Sequence, residues 1–217
     1  MHLISTSNLI EYLCLLFGIF FLIKDKATFW RISLVYILIV CLTETTAGII
    51  SKVYHHHNVT IYNIYMLLEA TYVSYGLYYF LREYIKNIVY WILAVYCIIL
   101  TISAFCIYDH GIHTYNSLTV SIMSVFFVVF SLLYFYVLLK DESFIDLKFH
   151  PAFWWIGGVL IFYFGGTLAN FFDDIIQMKF FRDLNARTII YTTLNAFLYG
   201  FWSYSFICRT RQRKLSL

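Results

Sequence analysis

Proline is almost absent from this sequence and charge is scarce: the 217 residues include one proline, nine glycines and only 12% Asp, Glu, Lys and Arg. A soluble domain carries about 25% charged residues, so a water-facing surface over most of the chain is excluded. The shortage of breakers argues against the turn-rich composition of an outer-membrane β-barrel and for long uninterrupted helices. Paired Cys-x-x-C spacing is missing. The five cysteines, Cys14, Cys41, Cys97, Cys106 and Cys208, fall inside or at the ends of apolar runs, where buried thiols are expected in place of disulfides or zinc ligands. There is no HExxH, nucleophile elbow or phosphate loop, so recognised soluble catalytic chemistry has no foothold. The N-terminus has no positive n-region and no small-residue cleavage site, so the first apolar run is expected to stay as a helix.

What is abundant is apolar surface, 62% of residues, of which aromatic side chains make up 22% of the chain. Runs of about 18–25 apolar residues cross a bilayer core, and seven are found, at 8–23, 32–50, 61–81, 88–108, 118–139, 152–173 and 188–208. The expectation is an all-α, polytopic integral membrane protein, a bundle of seven transmembrane helices forming one domain over 1–217 with no soluble domain. With the N-terminus outside, eleven Lys and Arg fall in cytoplasmic segments and four (Lys52, Lys179, Arg182 and Arg187) in outer ones. The positive-inside rule therefore predicts an outside N-terminus and a cytoplasmic C-terminus.

Trp30, Trp91, Trp154, Trp155 and Trp202 lie near the ends of the runs, which suits anchoring at the headgroup level. Pro151 opens the sixth run, where its missing N–H is harmless. The stretch Ile175 to Arg187 mixes apolar and basic residues and reads as a short interfacial helix or a plain loop. Gly157, Gly158, Gly165 and Gly166 permit close packing along the sixth run.

Ten of the twelve acidic residues fall at helix ends or in loops; Glu44 and Glu69 do not. A charge at mid-bilayer costs about 2.5–3.5 kcal/mol on insertion scales, so these two are expected to face the bundle interior. Counting from the span ends places both roughly 10–12 Å below the outer surface, with Asn195 at the same level and Asn170 nearby. Helical spacing adds Tyr65 and Tyr72 to the Glu69 stripe. Glu44, Glu69, Asn195, Asn170, Tyr65 and Tyr72 are thus a candidate outer-half pocket for a small ligand, a proton or a cation. Interhelical hydrogen bonding alone is the alternative.

Six of the seven histidines fall on the predicted outer side. His55, His56, His57, His110 and His113 are weak candidates for sensing pH or a metal, but no spacing among them is diagnostic, and neither a metal centre nor a cofactor is expected. No lysine lies within a span, so retinal has no attachment point. The strings Tyr62 to Glu69 and Phe153 to Gly158 resemble stretches of small bacterial seven-helix proteins, a resemblance that implies no function.

The expected role is that of a non-enzymatic sensor or accessory protein in the bacterial inner membrane. Its signal would reach a protein partner or a second copy by helix displacement, and the lipid bilayer is its other partner; direct nucleic-acid binding is not expected. A proton-coupled transporter or pore, a membrane effector in a stress or defence system, and an intramembrane hydrolase stay open as alternatives.

Overall fold

The computed structural model describes residues 6–55, 57–141, 146–172, 179–181 and 184–215. Seven α-helices account for most of them: α1 Thr6–Leu22, α2 Thr28–Lys52, α3 Val59–Leu81, α4 Ile88–His110, α5 Ser117–Lys140, α6 Pro151–Phe171 and α7 Ala186–Leu215. Each of the seven apolar runs falls on its own helix, the first and sixth extending one or two residues past the helix end. Four of these, α2, α4, α5 and α6, are long and apolar enough to cross a bilayer, which points to a membrane protein. The outward faces of the bundle agree, since Phe20 of α1, Leu139 of α5 and Phe171 of α6 are each about four-fifths exposed, an arrangement suited to lipid as solvent. α1 is only 17 residues long, and the apolar run of α3 is diluted by six tyrosines, Asn63 and Glu69.

The helices form a ring in chain order that closes where α7 packs on α1, with α3 drawn toward the centre against α2, α5 and α6, and α4 outside it between α3 and α5. The tightest pairing is α6 with α7. Glycine makes this possible: a Cβ at Gly158 would lie 3.2 Å from the Leu198 carbonyl oxygen. Helix ends follow local rules. Pro151 occupies the first turn of α6, Asn116 caps α5 by accepting from the Thr119 N–H at 3.2 Å, and Gly111 at φ +80° ends α4.

The core of one half of the bundle is a layer of aromatic rings. Trp155 and Trp202 stack at 5.5 Å, Tyr36 and Tyr72 at 3.9 Å, and Phe29 and Tyr79 at 4.7 Å. Every buried polar atom here must find a partner. The Trp155 N–H donates to the Tyr72 hydroxyl at 3.1 Å, Tyr72 donates to Ser33 at 2.9 Å, and Ser33 donates to the Phe29 carbonyl at 3.0 Å. The Trp202 N–H donates to the Trp155 carbonyl at 3.2 Å. The expected interfacial role of tryptophan is therefore wrong for Trp30, Trp155 and Trp202, all at most 1% exposed, whereas Trp91 is 68% exposed. A residue near a helix end points into the bundle or out of it according to its azimuth, which position along the run does not reveal.

Beyond the aromatic layer, α7 is tied to the α1–α2 turn. Asp25 is 1% exposed and accepts from Arg209 Nε at 2.9 Å, with Arg213 at 3.7 Å. Its other oxygen caps the turn through the Ala27 N–H at 2.8 Å. Thr210 donates to the Phe21 carbonyl at 2.9 Å, and the Arg211 guanidinium lies 3.5 Å from the Phe149 ring centroid. The basic end of the chain is thus a packed extension of α7. Between α6 and α7, the described residues form two short antiparallel strands, Lys179–Phe181 and Leu184–Asn185, where an interfacial helix or plain loop was expected. Residues 173–178 and 182–183 of that stretch lie outside the described residues.

Candidate functional site

The other half of the bundle is hollow. A cavity of about 730 Å³ lies inside the ring, lined by residues of every helix except α4. That volume falls within the range of small-molecule sites, about 300–1,000 Å³. Tyr115, Ser117 and Arg187 line it at the end that carries the α4–α5 turn and the start of α7, which is its mouth. The mouth is held by Asn63, 1% exposed, whose amide donates to the Ile112 and Thr114 carbonyls at 2.8 and 2.9 Å and whose oxygen accepts from the Asn116 N–H. At its deep end lie Glu69, Tyr163, Leu198 and Tyr199. Below them sits the aromatic layer, where Tyr36, Tyr72, Trp155 and Trp202 are each at most 5% exposed.

Five of the six residues expected to share a pocket line this cavity: Glu44, Glu69, Asn195, Asn170 and Tyr65. Tyr72 does not. It is fixed in the aromatic layer by Ser33 and Trp155, because its position three residues on from Glu69 turns it toward α2 and α6. Each of the two carboxylates accepts one phenol: Tyr62 donates to Glu44 Oε2 at 3.2 Å and Tyr163 donates to Glu69 Oε1 at 2.7 Å. Asn170 accepts from Tyr191 at 2.8 Å, and Tyr65 shares a hydrogen bond with Tyr36 at 2.9 Å.

The equal depth expected for Glu44 and Glu69 needs correction. Glu44 meets Tyr62, which lies seven residues, or about 10 Å along the α3 axis, from Glu69. The Ser33–Tyr72 and Tyr36–Tyr65 contacts carry the same offset, so α2 is displaced along α3 relative to a symmetric hairpin. Side chains lean toward the N-terminus of their own helix. In antiparallel helices this tips Glu44 and Glu69 toward each other, and both reach the one cavity.

A third carboxylate, missed in the sequence, joins them. Glu11 of α1 is 2% exposed, lines the cavity, and its Oε2 has no hydrogen-bond partner. The signal was present: Asn8, Glu11, Cys14, Gly18 and Leu22 form the buried stripe of α1 at helical spacing. Proximity to the end of the first run made Glu11 look like an interruption. Tyr62, Tyr163 and Tyr199 were also missed; nothing in their local sequence separates them from the outward-facing tyrosines. Arg187, exposed at the mouth, stands 5.7 Å from the Tyr191 ring centroid.

None of the described histidines lines the cavity. His55 and His57 are exposed, with His55 in a left-handed turn at φ +53°; His56 lies outside the described residues, as does His2. His110 is exposed beside Asp109 at 3.4 Å, and His113 bonds the Thr60 hydroxyl at 2.9 Å. Among the described residues no three His, Cys, Asp or Glu side chains come together to hold a metal ion. All five cysteines are free thiols, three of them buried and Cys97 exposed.

No protein-family model, curated protein or solved structure matches the chain. The functional reading therefore rests on the geometry of the site.

Proposed function

We propose that the protein is a non-enzymatic sensor or accessory protein of the bacterial inner membrane, crossing it seven times with its N-terminus outside, and that the cavity takes up a small solute from that side. The observation that carries this reading is the cavity of about 730 Å³ with Glu11, Glu44 and Glu69 on its wall. A chamber of ligand size with a few convergent polar groups is the general form of a binding site, and carboxylates kept inside a membrane bundle mark functional positions. α7 runs from the mouth to Asp25 beyond the aromatic layer, so a solute that shifts its upper half would move the basic end toward a partner protein.

The alternative of a proton-coupled transporter or pore requires the Trp155–Trp202 layer to part. Reconstituted in vesicles with an internal pH dye, the protein is expected to conduct no more protons or sodium than empty vesicles. Flux abolished by Glu69→Gln would overturn the sensor reading in favour of transport. A reporter fused after Leu217 is expected to behave as cytoplasmic, and activity on the outer side would refute the orientation.

A further inference from the structure

We infer that the cavity's ligand is a small organic ammonium ion on an alkyl stem, best satisfied by an alkyl diamine; this rests on the binding reading above and names its ligand class. Charge decides the sign. The wall carries three carboxylates against one guanidinium, and that guanidinium, Arg187, is exposed at the mouth. Glu11 is 2% exposed, stands on the cavity wall, and has one carboxylate oxygen, Oε2, buried without a hydrogen-bond partner. A buried acceptor left without a donor costs about 1–3 kcal/mol or more, and an ammonium N–H is the donor that satisfies it best. Glu44 and Glu69 each have one oxygen bound to a phenol and a second oxygen outside that bond.

The spread of the carboxylates decides the shape. A bare divalent ion needs its oxygens converged at about 2–2.6 Å, whereas these three stand on three helices and form no metal-holding group among the described residues. The backbone positions of Glu44 and Glu69 differ by about 10 Å in depth; their side chains tip toward each other, but each is held by its own phenol, Tyr62 and Tyr163, so two positive charges a short stem apart match the wall better than one compact ion. The wall also carries apolar side chains, Met66, Met123, Phe162 and Leu198, which suit a methylene chain. Tyr65, Tyr163 and Tyr199 also line the cavity, and aromatic rings attract an ammonium group.

The full chain in detergent would be unfolded thermally with 1,5-diaminopentane, its neutral isostere 1,5-pentanediol, its anionic isostere glutarate, and sodium chloride at matched ionic strength. The diamine is expected to raise the midpoint in a saturable manner, while the other three leave it in place. Glu11→Gln and Glu69→Gln keep side-chain shape, and each is expected to weaken diamine binding about tenfold or more; the lipid-facing Phe20→Leu should bind as wild type. Their ligand-free midpoints and elution profiles establish that the variants are folded. An equal shift with the diol, glutarate or sodium would overturn the ammonium assignment and leave the binding reading standing. No shift with any probe would overturn the assignment as well, and the binding reading falls with it only if the cavity is also closed to thiol reagents from outside.

Discussion

Gly76 is the position at which the packing of the bundle is most sharply testable. A Cβ added there would stand 2.3, 2.7 and 2.9 Å from three carbons of the Trp155 six-membered ring. Comfortable carbon–carbon contact is about 3.5–4.0 Å, so the indole would have to retreat by more than about 1 Å. It has nowhere to go, since it is 0% exposed, stacked on Trp202 and edge-on to Phe29 and Tyr72. Overpacking of this kind costs about 1–3 kcal/mol, and loss of the Trp155 to Tyr72 hydrogen bond adds about 1 kcal/mol. Gly76→Ala should therefore destabilise the bundle by about 2–4 kcal/mol, measured by reversible SDS unfolding in mixed micelles with far-ultraviolet circular dichroism as the signal. Trp155→Phe removes the clashing carbons. The double variant should then be more stable than the sum of the two single effects by at least about 1 kcal/mol. A Gly76→Ala protein within about 0.5 kcal/mol of wild type, or a strictly additive cycle, would refute the placement of Trp155 against α3.

Two further perturbations address the other end of α7. Asp25→Asn keeps the cap on Ala27 but removes the charge that holds Arg209 and Arg213. Breaking a fully buried pair costs about 3–5 kcal/mol, and because both arginines are about a quarter exposed the expected loss is about 1–3 kcal/mol after discounting for solvent. Faster tryptic cleavage after Arg209 would report it, and an unchanged cleavage rate would count against the tie. His150, just ahead of α6, bonds Tyr134 at 3.0 Å, and burial pushes its imidazole below the ordinary 6.5. Its contribution is fully present above pH about 6.5 and is lost as the pH falls below that value, because the unfolded chain then binds the proton more readily. His150→Asn should flatten the acid side of the stability profile, and an identical profile would argue that His150 is not held neutral.

The helices were legible because length and apolarity alone define a span, and Glu44 and Glu69 were legible because a carboxylate in such a run has one sensible direction to face. Azimuth and axial stagger were not. Trp155 and Trp202 sit near span ends like Trp91, yet only the three-dimensional packing turns them inward. The offset between α2 and α3 depends on how the turn after Lys52 folds back, which run lengths do not encode. Glu11 was hidden for a different reason: its stripe of Asn8, Cys14 and Gly18 is polar and small, and reads as a weak helix end until α7 is seen to pack against it.

The central claim, an acidic chamber that opens outward and is closed inward, is tested most directly by the charge selectivity of a thiol in its wall. Ser121 lines the cavity and is an exposed residue, so Ser121→Cys can be placed in a background where Cys97 and Cys106 are serine. Cationic and anionic methanethiosulfonates would be applied from each side of the membrane, with rates referred to the same reagents on a free thiol in solution. The account predicts reaction from the outer side only, with the cationic reagent favoured by about tenfold or more, as expected for a cleft lined by one sign of charge. Equal rates for the two charges, preference for the anion, or labelling from the inner side would contradict it.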